Sequence, residues 1–276
     1  MIVNDRQRVI RVGIEVDGRI NWYDGLRIRA TGTKFDSSIQ AEATITISGL
    51  TIDTRNQILT DTSPFNYYRT PRRVYLDVGR EGGAVFRIFE GDIVSSEPGQ
   101  APDLDVTLRA QTAYAFAQQV ISTSYGLTIP LSQIAKDVAA SMSLGLRFEA
   151  TEKKISRYIY LGAKRDQVRA LEQAGDVTVL IDGSELVVRD SSKPRKGEMR
   201  ILNENSGMVG LPSPTSIGCN VTFTIENEAI IGGAISIDSK YYKAASGEYI
   251  ISQLKFDVDT HGDSFFYTAI CRNINQ

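Results

Sequence analysis

The sequence predicts a mainly β protein in which a small α/β unit lies between two antiparallel β parts. Apolar residues alternate with polar ones, as in half-buried strands, over about the first hundred residues and again near the end of the chain. From about residue 113 the apolar residues recur at helical spacing instead. The segment "SSKPRKGE" then has the composition of a linker and precedes the last part.

The first β part begins close to the N-terminus. "RVIRVGIEV" places Ile10, Val12 and Ile14 on one face, and the following "DG" pair favours a tight hairpin. "AEATITISGL" alternates alanine and isoleucine with glutamate, threonine and serine, and "TIDTRNQIL" predicts a short helical turn. Further strands are predicted at 74–78, 85–89 and 104–110. Their spacing is that of a barrel or a sandwich.

The middle unit contains the predicted helices. "TAYAFAQQVI" favours a helix, and "PLSQIAKDVAASMSL" does so more strongly because Pro130 stands at its start. "RDQVRALEQAG" predicts a further helix that ends at Gly175. "LRFEA" and "RYIYLGA" are typical of short strands, and "VTVLIDGSELVVRD" predicts a hairpin that turns at Asp182 and Gly183.

The strand period resumes after the linker, in "VTFTIE", "AISI", "LKFDV" and "FYTAIC". Three domains are therefore predicted, at 1–112, 113–192 and 193–276. Each β part is long enough to bury a core of its own.

Composition excludes several classes of function. The chain has 31 basic and 33 acidic residues, a net charge of −2, so no overall field attracts it to nucleic acid or to an anionic membrane. No apolar run approaches the roughly 20 residues that span a bilayer, so no membrane anchor is expected. The charged N-terminal segment is unlike an export signal, and synthesis in the cytoplasm is expected.

A cysteine and histidine pair is the sharpest enzyme hypothesis that the residues allow. A thiol needs a neighbouring base to be mostly thiolate at neutral pH, and the chain has Cys219, Cys271 and one histidine, His261. Cys219 begins a strand, Cys271 shares a face with aromatic residues, and His261 lies in the polar turn "DTHGD". The favoured interpretation is two buried thiols and an exposed turn histidine, with no catalytic residue.

Neither a metal site nor a cofactor site is predicted. "DVDTHGDSFFYT" has oxygen-bearing residues at alternate positions, as in a calcium loop, but Thr268 stands where a glutamate should close the shell. A hairpin turn explains the run better, because strands flank it. "VGREGG" has neither of the glycine spacings that bind phosphate.

The loop "TSPFNYYRTPRR" carries the clearest candidate for a binding surface. Aromatic residues and arginine alternate there, a composition typical of interface cores and of surfaces that bind single-stranded nucleic acid. A protein interface is favoured over a plain hairpin loop and over nucleic acid, since the net charge is near zero. The candidate interface residues are Phe65, Tyr67, Tyr68, Arg69, Arg72 and Arg73.

The order of elements resembles that of the baseplate hub proteins of contractile-tailed phages, the family that includes the late-control D type tail proteins. The resemblance covers almost the whole length. It depends on "SIQAEATITISGLTIDTRNQIL", on "VYLDVGREGGAVFRIFEGDIVSSEPGQAPDLDVTLRA" and on the middle unit. The closing segments "GMVGLPSPTSIGCNVTF", "IIGGAISIDS" and "GEYIISQLKFDVDTHGDSFFYTAICR" complete it.

The resemblance implies a virion protein that acts as a structural hub and not as an enzyme. It implies two tail-tube-like β barrels that flank the α/β unit, and a homotrimer whose six barrels form a pseudo-six-fold ring. The ring would join the hexameric tail tube to a trimeric spike, with other baseplate or LysM-like tail proteins nearby. DNA would pass through it without specific binding, and assembly would occur in the host cytoplasm.

A channel for DNA should present polar side chains that do not bind it tightly. The candidate lumen-facing residues are Glu42, Thr44, Thr46 and Ser48 in the first part, and Thr222, Thr224 and Glu226 in the last. The same faces would equally suit an outer surface. Two other functions stay open from the sequence: a tail-associated enzyme that degrades peptidoglycan, and a β-rich module that binds carbohydrate or peptide.

Overall fold

The computed structural model describes residues 7–16, 18–63, 65, 71–225 and 229–274. Within these ranges the first β part contains seven strands and one helix: β1 (Arg8–Val16), β2 (Arg19–Tyr23), β3 (Arg27–Phe35), β4 (Glu42–Ser48), α1 (Ile52–Asp61), β5 (Arg73–Arg80), β6 (Val85–Pro98) and β7 (Val106–Gln111).

The middle unit follows: β8 (Val120–Ser124), β9 (Thr128–Pro130), α2 (Leu131–Ser141), β10 (Gly145–Phe148), β11 (Lys154–Ser156), β12 (Ile159–Ala163), α3 (Gln167–Gly175), β13 (Thr178–Asp182) and β14 (Glu185–Arg189). The last β part contains β15 (Arg200–Leu202), β16 (Met208–Pro214), β17 (Gly218–Thr224), β18 (Ala234–Ile237), β19 (Gly247–Asp259) and β20 (Phe265–Asn273). The chain is thus mainly β, as predicted.

The first and last β parts share one sheet of 13 strands. Its order is β16-β17-β20-β19-β3-β4-β7-β6-β5-β1-β2, with β18 beside β19 and β15 beside β18. The two parts meet where β3 pairs antiparallel with β19. In the described ranges the pairing order is open, with β16 and β2 at its ends, and no closed barrel is found.

Close packing fixes the junction of the two parts. Gly32 of β3 lies opposite Phe256 of β19. A Cβ atom at Gly32 would lie 2.3 Å from Phe256 Cζ and 2.5 Å from the carbonyl oxygen of Glu42, so only glycine fits. Phe256 also packs on Phe89, with ring centroids 6.3 Å apart. One hydrophobic core therefore continues from the first part into the last.

The middle unit has a separate core. The helices α2 and α3 pack on the three-stranded sheet β10-β14-β13, and their buried residues include Ile134, Val138 and Leu171. Helix α2 begins after Pro130 and α3 ends at Gly175, as predicted. The predicted hairpin is also confirmed, because Asp182 pairs with Glu185 across a two-residue loop.

The helix predicted in "TAYAFAQQVI" is wrong. Only Tyr114–Phe116 forms a short 3-10 turn, and it begins after Ala113, whose φ is +57°. The chain then extends into β8, which pairs antiparallel with β12. Only Val120 and Ile121 of the segment pair with β12, and helical spacing of apolar residues did not produce a helix here, because the local preference for helix is weak compared with tertiary contacts.

Buried ion pairs join the middle unit to the first β part. Arg189 of β14 bonds Asp36 just after β3, and both side chains are nearly inaccessible. Nearby, Asp182 Oδ1 accepts from Lys34 Nζ at 3.0 Å and Asp182 Oδ2 from Arg195 Nη1 at 2.7 Å. Burial alone would raise the pKa of Asp182, but Lys34 and Arg195 outweigh it and hold the pKa well below its usual range.

None of the helices in the described part of the chain is both long and apolar enough to cross a bilayer.

Candidate functional site: two matched four-strand units and their polar face

Eight neighbouring strands of the large sheet divide into two units with the same connectivity. We call β3, β4, β6 and β7 the N-unit, and β16, β17, β19 and β20 the C-unit. Read in one direction along the sheet, the strands of the C-unit are β16-β17-β20-β19 and those of the N-unit are β3-β4-β7-β6. In both units the spatial order is therefore first, second, fourth, third along the chain.

The third strand of each unit is long and carries an irregularity at the matching place. β6 has 14 residues and β19 has 13. Against its partner, the register of β6 shifts between Ile93 and Ser95, and that of β19 shifts between Ile251 and Gln253. Each shift leaves one extra residue on the long strand, as in a β-bulge, which bends the strand. The early part of each long strand pairs with a further strand, β5 or β18.

A pair of threonines joins the second and fourth strands of each unit. Thr46 Oγ1 lies 3.0 Å from Thr107 Oγ1, and Thr222 Oγ1 lies 3.1 Å from Thr268 Oγ1. The two threonines of each pair are direct register partners. The two pairs also occupy corresponding positions relative to the bulges. On the fourth strand, the residue that pairs with the long strand just before its bulge is Ala110 in the N-unit and Cys271 in the C-unit. Thr107 stands three residues before Ala110, and Thr268 stands three residues before Cys271.

The two units share one continuous surface of mainly polar side chains, which we call the polar face. Two rows of register partners cross six strands of it, from the C-unit to the N-unit. The first row is Thr222, Thr268, Lys255, Thr33, Glu42 and Gln111. The second is Thr224, Phe266, Asp257, Thr31, Thr44 and Arg109. A groove of about 700 Å³ runs over this face.

The structure therefore brings the candidate lumen-facing residues of the two parts together. Glu42 shares a row with Thr222, and Thr44 shares the next row with Thr224. Thr46 lies on the same face beside Thr107. The alternate residues of β4 and β17, such as Ile45 and Phe223, are fully buried in the core. That the polar face lines a channel stays a prediction, and Glu226 lies outside the described residues.

Charge on the polar face is balanced within each of these two rows. Lys255 and Glu42 lie in the first row, and Asp257 and Arg109 lie in the second. Arg109 also pairs with Glu97 at 3.2 Å, where both side chains are exposed. These two rows are thus mainly polar and carry no net charge. Sequence reasoning missed Thr107, Arg109, Thr268 and Lys255 as members of this face, although each alternates with buried residues.

The candidate interface loop is partly outside the described residues: Tyr67, Tyr68 and Arg69 are not among them. Phe65 is 88% exposed. Arg72 and Arg73 fold back onto carboxylates instead, with Arg72 Nη2 3.2 Å from Asp61 Oδ2 and Arg73 Nη2 2.7 Å from Glu90 Oε1. The role of the loop as an interface stays a prediction.

The two cysteines lie side by side in the core. Cys219 of β17 and Cys271 of β20 are register partners, both fully buried and both free thiols. Burial raises the pKa of Cys271 to about 12 and also raises the pKa of Cys219. Both thiols are therefore protonated near neutral pH and are poor nucleophiles, which agrees with the interpretation as core residues.

The predicted turn around His261 is confirmed. Asp259 Oδ1 accepts from the backbone N–H groups of His261 and Gly262 at 2.8 and 2.9 Å, which closes the turn between β19 and β20. The imidazole is exposed, and its Nδ1 lies 2.9 Å from Thr260 Oγ1. Among the described residues there is no group of His, Cys, Asp or Glu side chains arranged to hold a metal ion.

A family comparison identifies the group to which this architecture belongs. The family model described as "Baseplate hub gp41" matches residues 9–271, nearly the full length. The chain belongs to the baseplate hub family. The resemblance predicted from the sequence is confirmed, and this hub protein is a component of the phage tail. No curated protein matches it.

Solved tail proteins share the fold of the hub protein. It is similar to the 43 kDa tail protein of prophage MuSo2 from Shewanella oneidensis, with 12% identity, a TM-score of 0.65 and coverage of 96% of this chain and 97% of the other. It is also similar to a tail protein from Neisseria meningitidis, at 9% identity and a TM-score of 0.65, with 96% of each chain covered. A type VI secretion component from E. coli matches at 9% identity and a TM-score of 0.62, over 94% of this chain and 76% of the other.

Proposed function

We propose that the hub protein is a homotrimer whose six four-strand units form a pseudo-six-fold ring in the tail baseplate. Three chains with two similar units each give six similar modules, so one ring can contact a six-fold tube on one side and a three-fold spike on the other. The observation that carries the proposal is the matched pair of units, with the same strand order, the same bulge and the same threonine pair. Each unit would belong to one tail-tube-like barrel.

The polar face would line the central channel. It crosses both units without a break, which is what a wall shared by neighbouring modules requires. In the two rows described, Lys255 and Arg109 are matched with Glu42 and Asp257, and in the row through Thr46 the cation Arg29 lies opposite Asp259. Phosphate contacts with unmatched lysine and arginine give most of the affinity for DNA, so a balanced face suits passage of DNA without binding.

The remaining parts of the proposal follow from the family. The hub protein would bind a tail tube protein and a spike protein, with LysM-like tail proteins nearby, and would assemble in the host cytoplasm before it enters the virion. Phe65 and its loop would lie at a subunit or tube interface, where exposed aromatic residues are enriched. The role is structural and includes no catalytic step, cofactor or metal.

Mass measurement in solution tests the oligomeric state. The hub protein would be co-purified with its spike partner, because a hub that assembles only on its partners would otherwise be monomeric, and the mass of the complex would be measured by light scattering. We expect three hub chains for each trimeric spike. One hub chain for each spike, or a hub that stays monomeric beside the spike at high concentration, would refute the proposal.

A further inference from the structure

A cleft of about 610 Å³ lies between the first β part and the middle unit, away from the candidate functional site described above. One wall comes from β1, β6 and the end of α1, and its charged residues include Glu15, Asp61, Glu90 and Asp92. The opposite wall comes from the middle unit and is mainly apolar. Its side chains include Phe116, Met142, Leu144 and Ile181. A concave site of this size is typical of ligand and peptide pockets.

Two of the four carboxylates on the charged wall already have cations. Asp61 pairs with Arg72 at 3.2 Å, and Glu90 pairs with Arg73 at 2.7 Å. These two arginines also line the cleft. Among the described residues, the charged wall therefore has four carboxylates against two guanidinium groups.

The other two carboxylates, Glu15 and Asp92, form no ion pair in the part of the chain that the structure describes, although Arg73 is the register partner of Asp92 and its charge lowers the pKa of Asp92. Glu15 Oε2 accepts from the hydroxyl of Tyr75 at 3.1 Å, and Asp92 Oδ2 accepts from the backbone N–H of Ala115 at 2.8 Å. Asp92 is 6% exposed, and this burial raises its pKa. A cation bound in the cleft would give the half-buried Glu15 an opposite charge and would add to the charge of Arg73 beside Asp92.

The apolar wall adds a second requirement for the ligand. Phe116, Leu144 and Ile181 are half-buried where they line the cleft, so each still exposes apolar surface. Arginine and lysine side chains combine an aliphatic stem with a charged head, and they pack the stem on apolar surface while the head reaches a polar group. A phosphate or another anion would be repelled by the carboxylates, so nucleic acid does not fit this cleft.

We propose that this cleft binds a segment of another protein that presents an arginine or lysine next to an aliphatic residue. The cationic head meets the charged wall at Glu15 and Asp92, and the aliphatic side chain packs on Phe116 and Leu144. The cleft is a binding surface separate from the polar face, and it shares Arg72 and Arg73 with the candidate interface loop. The proposal depends only on the fold of one chain, so it does not depend on the trimeric ring.

The test uses the full chain and a defined probe, the peptide acetyl-Leu-Arg-Leu-amide, with binding followed by NMR chemical shifts up to millimolar peptide. Two matched peptides serve as controls, one with citrulline and one with glutamate in place of arginine. We expect the arginine peptide to bind at least about tenfold more tightly than the citrulline peptide, since a hydrogen bond to a charged group gives an effect of this size. Its shifts should lie at Phe116, Leu144 and Ala115.

Variants assign the binding to the two carboxylates. Glu15→Gln should weaken binding of the arginine peptide by about threefold to tenfold, and the double variant with Asp92→Asn by more than tenfold. In Asp92→Asn the side chain keeps an oxygen that can accept from the N–H of Ala115. If the double variant nevertheless unfolds, the single variant Glu15→Gln is sufficient for the test, because Glu15 lies on the strand surface. Glu97→Gln is the control, because Glu97 is exposed and pairs with Arg109 elsewhere; it should change nothing.

Three results would overturn the proposal. The first is equal binding of the arginine and citrulline peptides, or no binding of either at millimolar concentration. The second is unchanged binding by Glu15→Gln. The third is self-association of the hub protein that Glu15→Gln abolishes, because the occupant of the cleft would then be a second copy of this chain.

Discussion

Thr46 and Thr222 occupy equivalent positions in two different parts of the chain. Each lies on the second strand of a four-strand unit, and each hydroxyl meets a threonine hydroxyl directly opposite on the fourth strand, at 3.0 Å and 3.1 Å. Thr46 and Thr222 are 176 positions apart in the sequence. This equivalence, together with the matched bulges, makes the hub protein a chain of two similar modules and underlies the proposed six-module ring.

Removal of the hydroxyl from either threonine should have the same small effect. Thr46→Val and Thr222→Val keep the β-branched shape and lose the cross-strand hydrogen bond, so each should lower the free energy of unfolding by about 0.5–1.5 kcal/mol. The double variant should lose about the sum, since the two pairs share no partner. Urea unfolding measures all three values. A large difference between the two single variants would contradict the equivalence of the units.

Gly32 should be intolerant of any side chain. Gly32→Ala places a methyl group against Phe256 and the Glu42 carbonyl at the junction of the two β parts, so it should lower the free energy of unfolding by about 1–3 kcal/mol or more. Gly145→Ala is the matched control, because its Cβ would meet the nearest atom at an ordinary 3.7 Å. Both are measured by urea unfolding. A Gly32→Ala protein as stable as the Gly145→Ala protein would refute the described junction of β3 with β19.

Asp182 should make stability depend on acidic pH. Its folded pKa lies below the unfolded value of about 3.9, so its contribution to stability is present above that value and is lost as pH falls toward the folded pKa. Urea midpoints measured from pH 7 to pH 3 should fall for the wild type. Asp182→Asn should be less stable at pH 7, because Lys34 and Arg195 lose their partner, and should show a flatter decline below about pH 4. An equal decline in both proteins would contradict the ion-pair account.

Substitutions at Cys219 and at Gly232 should have opposite effects on formation of the complex with the spike. Cys219→Ala removes only a buried thiol, and the complex with the spike should still form. Gly232→Val should disrupt it, since Gly232 has a φ of +75° and a Cβ there would lie 2.6 Å from Asp36 Oδ1. Light scattering of the co-purified complex compares the two variants. The opposite pattern would indicate that Cys219, and not the turn, is the functional group.

The sequence predicted the helices and strands better than it predicted which strands pair with each other. Period-two alternation around Ile45 and Phe223 identified the strands and their buried faces, because a half-buried strand leaves that local pattern. Proline and glycine located the ends of α2 and α3. The pairing of β3 with β19 leaves no local signal, and neither do the bulges at 94 and 252, since they depend on strands far apart in the sequence.

The candidate site could likewise be predicted only in part from the sequence. Alternation placed Glu42, Thr44 and Thr222 on polar faces, but only the fold shows that these faces are one surface. The segment "TAYAFAQQVI" shows the opposite error, where a helical pattern forms a short 3-10 turn followed by the start of β8, which pairs with β12. The cleft between Glu15 and Phe116 could not be predicted, since its two walls come from different parts of the chain.

The proposed ring requires the two units to be equivalent modules whose polar faces line the channel. Electron cryo-microscopy of the hub protein bound to its tube and spike partners is the measurement that decides this. We expect a ring of three chains with six similar lobes, in which Thr46 and Thr222 lie at the same radius and face the channel. A ring with three lobes, or one in which these two threonines lie at different radii or face outward, would contradict it.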